Sequence, residues 1–441
     1  MTTKYAEAEQ KTGAKYVGQP VDRLDGRAKT TGEARFAAEH RYPGLAHAAL
    51  VHATIARGRI TGVDTEAARA VPGVIEVLTH ENAPAMKPSP AVSLLDLSST
   101  VSGTSVNYLA TDEVHWNGQP VAVTVAETPE AARHAASLVR LTYHELPAVV
   151  DFAAEEPNAT PQKSSLIQSA RAGKGDAEAA LAAAPVVVDL RFTTPPHNHN
   201  AIEPHATTAV WDGDRLTVHE GTQNIAWLRK HLAQRFGVPE QGVRVLSPYV
   251  GGGFGGKGMV WAGTLLTVLA ARATARPVRL ALTREGVYHT VGGRTPSTQR
   301  VALGADDDGR MTALIHTSVA RTGRTGGGPE AITSASTTST TPRPSGCARA
   351  SSSSTCSPTP TCGRPARRSA RSLWSRPWTS WPSSWAWIRS SCGCATSPNA
   401  TRWTASGSRT GCCVRRTRWG PSASAGGSAI RGPGPCGTGV G

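Results

Sequence analysis

The sequence predicts an α+β fold in two domains, followed by a tail that does not fold. Three observations carry that expectation. Strand-like and helix-like runs alternate through the first 330 residues. A glycine-rich loop near residue 255 is bracketed by an apolar strand pattern and an apolar helix pattern. Finally, the composition breaks after Glu330: beyond it there is no Asp, Glu or Lys, but there are fourteen Arg, all eight cysteines and seven of the eleven tryptophans.

The formal charge of +15 therefore describes no real part of the 441-residue chain. Residues 331–441 carry +14 and residues 1–330 carry +1, so a basic, nucleic-acid-binding reading rests on the tail alone. At about 100–200 residues per domain, the first 330 residues suffice for two cores. The first ten residues are polar, and the longest apolar stretch, 259–275, is interrupted by Gly263 and Thr264. Neither a signal peptide nor a membrane span is expected, which implies a cytoplasmic protein without a membrane partner, although export alongside a partner subunit is compatible with the sequence. A cysteine-free region 1–330 cannot form disulfides or thiolate metal sites.

The first domain, 18–151, follows a short N-terminal extension, 1–17. Asp64 can cap an Ala-rich turn over 65–71, which Pro72-Gly73 stops, and a strand over 74–78 follows. A strand over 121–125, a helix opened by Thr128-Pro129-Glu130 and a strand over 141–143 form an α/β unit. Residues 152–185, rich in Ala, Glu, Pro and Ser, read as a linker with a short helix over 177–183.

The second domain spans 186–330. It opens with a strand over 186–192, followed by strands over 207–211 and 216–220 joined by the turn Asp212-Gly213-Asp214. Gly221-Thr222-Gln223-Asn224 leads into a helix over 225–236 that Gly237 closes. An apolar, β-branched run over 243–250 then enters Gly251-Gly252-Gly253-Phe254-Gly255-Gly256-Lys257-Gly258, and a long helix over 259–275 follows.

Six glycines in eight positions let the backbone adopt positive φ and turn its N–H groups toward a ligand. Such a loop ahead of a helix suits an anion. Gly251, Gly253 and Gly256 fit a dinucleotide pattern, but no acidic residue lies at the required distance, since Glu285 is too far on. Gly251, Gly256 and Lys257 fit the start of a P-loop, but Gly258 replaces its Ser/Thr. A flexible surface turn is the remaining plain reading.

A broader pattern resembles the large subunit of the xanthine dehydrogenase/aldehyde oxidase family. The glycine loop, with Thr222-Gln223-Asn224 upstream, is similar to that family's first molybdopterin-binding region. Asn200-Ala201-Ile202-Glu203-Pro204-His205-Ala206 resembles the segment that opens this domain, and Gly292-Gly293-Arg294-Thr295-Pro296 resembles its Gly-Gly-Arg-x-Pro turn. Gly18-Gln19-Pro20-Val21 with Asp25-Gly26, Gly118-Gln119-Pro120-Val121 and Pro147-Ala148-Val149 resemble the a/b hammerhead domain that precedes it.

The resemblance implies a molybdenum–molybdopterin cofactor, in a dinucleotide form, and oxidative hydroxylation of an aldehyde or N-heterocycle. Gln223 matches the glutamine whose amide faces the molybdenum oxo ligand. Gly252, Gly253, Phe254, Gly255 and Gly256 match the loop whose backbone binds the cofactor. Without the loop, Gln223 reads as a turn or capping side chain. Gly258 departs from members with an acidic residue after the lysine, which favours an aldehyde-type substrate. His197, His199 and His205 are not expected to ligate metal, because the cofactor brings its own sulfur ligands. Electrons leave through an iron–sulfur subunit and an FAD subunit, and the family's glutamate base lies in a later motif not found in this chain.

The tail holds 38 Ser and Thr and six Leu, Ile or Val, which predicts disorder. Its cysteines lack paired CxxC spacing, and no histidine accompanies them. Arg, Ser, Pro, Cys and Trp are what GC-rich coding DNA yields out of frame. With one nucleotide of shift, residues 378–388 (WTSWPSSWAWI) can decode as MDELAVELGMD, residues 391–401 as ELRLRNEPERD and residues 361–368 as MRAPGEA. All three resemble in-frame segments of the same family. A frameshift between about Glu330 and Pro342 is therefore expected, leaving a truncated and inactive molybdenum-binding chain. The alternative is a non-enzymatic Arg/Trp-rich protein that binds nucleic acid through its tail.

Overall fold

The computed structural model describes residues 20–89, 106–162, 171–323, 330, 332–333, 336 and 348–356. In chain order the elements are α1 (Gly26–Thr31), β1 (Ala46–His52), β2 (Gly58–Asp64), α2 (Glu66–Arg69), β3 (Val74–Leu78), β4 (Glu113–Val114), β5 (Pro120–Ala126), α3 (Pro129–Leu138) and β6 (Arg140–Glu145). There follow α4 (Phe152–Glu155), β7 (Thr160–Pro161), β8 (Arg171–Lys174), α5 (Ala177–Ala182), β9 (Val186–Thr194), β10 (Ala206–Asp212), β11 (Arg215–Glu220), α6 (Ile225–Phe236) and β12 (Val243–Leu246). The remainder are α7 (Ala262–Thr274), β13 (Val278–Ala281), α8 (Arg284–Thr290), β14 (Ser297–Ala305), β15 (Met311–Arg321) and β16 (Ala348–Cys356).

Local signals in the sequence set most of these boundaries. The Thr128 hydroxyl accepts from the Ala131 N–H at 3.1 Å, with Pro129 in the first turn, so α3 starts where its cap and its missing donor favour it. Asp64 accepts from the Glu66 N–H at 3.0 Å, although Thr65 occupies the cap position of α2. Gly213 (φ 56°) makes the β10–β11 hairpin turn, and Gly237 (φ 68°) ends α6 in the left-handed conformation.

The two expected domains share one sheet. Its order is β12-β11-β10-β13-β1-β5-β3, and the junction is the parallel pairing of β1 with β13 through Ala46↔Val278 and Ala48↔Leu280. One core likewise spans both, with Leu50, Val123 and Val125 packed with Leu228, Leu265, Leu269 and Val278. Helix α7 is its spine: Leu265, Leu266 and Leu269 are almost fully buried, each worth about 1.5–3 kcal/mol of transfer free energy. A second core, with Ile60, Val77, Val121 and Ala135, packs α3 beside the three-stranded sheet β4-β2-β6.

Residues 152–185 are more than a connector. The short helix expected over 177–183 is α5, and its Ala177 and Leu181 pack on Ala302, Ala313 and Ile315 of β14 and β15. Strands β7 and β8 pair with β16, completing a second sheet with β15, β14 and β9. The tail expected to be unstructured lies mostly outside the described residues; within it, β16 runs parallel to β15.

The run over 243–250 forms a strand only as far as Leu246, because Pro248 has no N–H to continue the ladder. The helix expected from 259 begins at Ala262, with Trp261 extended at the N-cap position and its indole turned to Gly256 O rather than capping the helix. The glycine loop is thus separated from the helix N-terminus by Gly258, Met259, Val260 and Trp261, which weakens the dipole argument for anion binding there.

Candidate functional site

The glycine loop folds back on itself at residues 252–256. Gly252 (φ 93°) and Gly255 (φ 98°) take conformations that suit glycine, and Phe254 is held in the left-handed region at φ 52°. The Gly256 N–H donates to Gly253 O at 2.7 Å, closing the turn. Among the described residues, no hydrogen bond within the protein uses the N–H groups of Gly252, Gly253, Phe254 or Gly255. The Phe254 ring is 58% exposed.

Gln223 meets this loop directly. Its N–H donates to Lys257 O at 2.8 Å, and the Thr222 hydroxyl donates to the same oxygen at 3.3 Å. Thr222 in turn accepts from the Asn224 N–H at 3.0 Å, and its backbone exchanges hydrogen bonds with the Ser247 hydroxyl. The Gln223 carboxamide lies against Gly253, where a Cβ would come within 2.5 Å of Oε1. The side chain is otherwise exposed, so its amide remains available to a ligand.

The segment 197–205 cradles the loop from the other side. His205 Nε2 lies 2.9 Å from Gly256 O, and the Trp261 indole N–H donates to that oxygen at 2.5 Å. The His199 ring packs where a Gly256 Cβ would stand. Burial pushes the His205 imidazole down to about 4 and lowers His199 as well, so both are neutral packing and hydrogen-bonding groups at neutral pH. The Gly-Gly-Arg-Thr-Pro turn closes the third side: Arg294 pairs backbone to backbone with His197, and its guanidinium donates to Phe254 O at 3.3 Å. Three separated sequence motifs therefore converge on the glycine loop.

The lysine of the loop turns inward. Its side chain is fully buried, with Nζ 2.5 Å from Glu203 Oε2. That orientation removes it from the phosphate-facing role a P-loop would require. Beneath the pair lies the fully buried Glu220, whose carboxyl is pushed up to about 7 by burial and accepts a hydrogen bond from the Thr207 hydroxyl. Apart from the rejected P-loop reading of Lys257, sequence reasoning gave no role to Glu203, Lys257, Glu220 or Arg294, although all four lie in or beside the quoted motifs. Their signal was charge within those motifs.

Two family models match successive parts of the chain. Residues 31–147 match the model of the aldehyde oxidase and xanthine dehydrogenase a/b hammerhead domain, and residues 159–362 match that of the molybdopterin cofactor-binding domain. The chain belongs to the xanthine dehydrogenase/aldehyde oxidase family. It is 39% identical over 312 residues to the aldehyde oxidoreductase molybdenum-binding subunit PaoC of Escherichia coli (strain K12), covering 69% of this chain and 40% of that protein. It is 29% identical over 302 residues to the nicotinate dehydrogenase large molybdopterin subunit of Eubacterium barkeri, covering 68% of each. The fold is that of a solved Cu,Mo-CO dehydrogenase, at a TM-score of 0.64 and 24% identity, covering 80% of this chain and 46% of that one. This family member thus spans about 40% of the length of PaoC, but is similar in length to the Eubacterium subunit. The cofactor-binding match continues beyond Glu330 into the tail.

Among the described residues, no helix is long and apolar enough to cross a membrane.

Proposed function

We propose that this chain forms the Gln223 and glycine-loop side of a molybdenum hydroxylase site that oxidises an aldehyde-type small molecule. One observation carries the reading: four consecutive N–H groups, at Gly252–Gly255, have no hydrogen-bond partner among the described residues and lie beside an accessible Gln223 carboxamide. Unspent donors on a loop that no Cβ obstructs fit the anionic oxygens and sulfurs of a molybdopterin. When bound, that cofactor supplies the two-electron oxidant for carbon hydroxylation.

The residues present have clear tasks. The loop N–H groups hold the anionic ligand, and the Gln223 carboxamide donates to an oxygen on which negative charge builds during the reaction. A dinucleotide form of the pterin, and separate iron–sulfur and FAD subunits as electron acceptors, complete the proposal.

The proposal includes a change of reading frame in the tail. Two contacts support a position after Ser336: Ile332 is buried against Ala320, and the Ser336 hydroxyl lies 2.5 Å from the buried His316 Nδ1. Both belong to a chain still encoding its fold. With the same one-nucleotide offset, the run Ser351-Ser352-Ser353-Ser354-Thr355-Cys356 decodes as Val-Val-Val-Val-Asp-Leu, a far better strand than the serines of β16. The chain as it stands is then inactive alone, because the arginine that the resemblance places in the decoded MRAPGEA segment is lost to the frame change.

Expression with the host's molybdopterin pathway tests the reading. Bound pterin, detected by fluorescence after oxidation, is expected at a measurable fraction of the protein, without substrate-dependent dye reduction. Absence of pterin from the folded chain overturns the cofactor reading. Dye reduction with stoichiometric molybdenum overturns the inactivity. Salt-sensitive nucleic-acid binding lost on deletion of 331–441 would favour the tail-driven alternative.

A further inference from the structure

Lys257 ends the glycine loop, and both halves of the residue are engaged. Its ammonium reaches Glu203 Oε2 at 2.5 Å, while its carbonyl accepts from the N–H of Gln223 at 2.8 Å. The same Glu203 oxygen accepts from the Gly251 N–H at 2.6 Å, and the Glu203 N–H donates back to Gly251 O at 3.2 Å. One carboxylate oxygen therefore ties together the first residue of the loop and its last. The cluster also fits tightly under the strand that leads to Gln223: a Cβ on Gly221 would lie 3.3 Å from Glu203 Oε1 and 3.4 Å from Lys257 Nζ.

Removing an ammonium and a carboxylate from water costs about as much as their attraction returns, so a buried pair adds little net stability compared with apolar packing. What such a pair supplies is geometry, because each charge tolerates few other positions. We infer that Glu203 and Lys257 are positioning residues that fix the glycine loop at its working distance from Gln223. Its importance for a cofactor rests on the function proposed above; the positioning itself does not.

Hydrogen exchange on the full 441-residue chain, without cofactor, tests the positioning. Glu203→Gln and Lys257→Met are expected to raise exchange at least tenfold at the hydrogen-bonded amides of Gln223, Gly251 and Gly256, with α7 and β11 unchanged. Lys257→Arg, which keeps the charge, is expected to restore most of the protection. Should Glu203→Gln not fold, Glu203→Asp, which keeps the charge but shortens the arm, is expected to give the same localised rise. An even rise across α7 and β11, or no rise at 251–257, overturns the inference. The same samples made with the pterin pathway separate the two readings: a wild-type chain that holds no pterin but shows the localised exchange pattern sinks only the cofactor assignment.

Discussion

The carboxamide of Gln223 rests on the backbone of Gly253 with no room for a side chain between them, since a Cβ would stand 2.5 Å from Oε1. Gly253 does not have a positive φ, so alanine is conformationally acceptable there and only the contact is lost. Gly253→Ala is expected to displace Gln223 and reduce pterin content at least tenfold, with the melting temperature nearly unchanged. Pterin fluorescence and a thermal melt on one preparation decide this.

Glu220 makes stability depend on pH. Its carboxyl is raised from 4.5 to about 7 in the folded chain, so the folded state keeps a proton that the unfolded state releases. The contribution is fully present below pH 4.5 and is lost as pH rises to about 7. The shift corresponds to roughly 3 kcal/mol as an upper bound. Half-buried His52 and buried His205, His219, His231 and His316, each lowered to about 4, act in the opposite direction as pH falls below 6.5. Glu220 must therefore be read as a difference: Glu220→Gln is expected to stabilise the chain at pH 8 relative to pH 4.5, measured by urea denaturation against wild type.

The shared sheet predicts that residues 18–151 do not fold alone. Without β13, β1 has an open edge, and Leu50, Val123 and Val125 lose the packing of α7. The isolated segment is expected to show no cooperative melt by calorimetry. Leu266→Ala in the full chain is expected to cost about 2–5 kcal/mol and to lower one common transition, not that of the second region alone.

Chain ends around the composition break provide a fourth test. Ending the chain after Ser336 keeps the Ile332 contact with Ala320 and the His316–Ser336 hydrogen bond, whereas ending it at residue 329 removes both. The shorter chain is expected to be less stable by about 2 kcal/mol or more, by denaturant titration. Sequencing the gene decides the frame change itself: codons incompatible with Val-Val-Val-Val-Asp-Leu and MRAPGEA remove it.

The elements that were legible were so because their causes are local, whereas β1, β2, β13, β14 and β15 were not read from the sequence. Thr128 with Pro129 opens α3, Gly237 stops α6, and Asp212-Gly213-Asp214 turns one strand into the next. Where the reading overran, a local cause had been underweighted: Pro248 ends β12 early, and Trp261 delays α7. The sequence did not show that the two regions share a sheet or that α5 packs on β14 and β15, because β1 and α5 find those partners only through distant strands.

By itself, the sequence determined the locally signalled elements such as α3, α6 and the β10–β11 hairpin, the break after Glu330 and the motifs that meet at the site, since hydrophobic period, turn chemistry and composition act over a few residues. Only the tertiary structure decided that β1 and β13 make one sheet of two regions, that Lys257 turns inward to Glu203, and that Gln223 lies on Gly253. Each depends on which groups exclude water from one another across long stretches of chain, and burial of that kind has no local pattern.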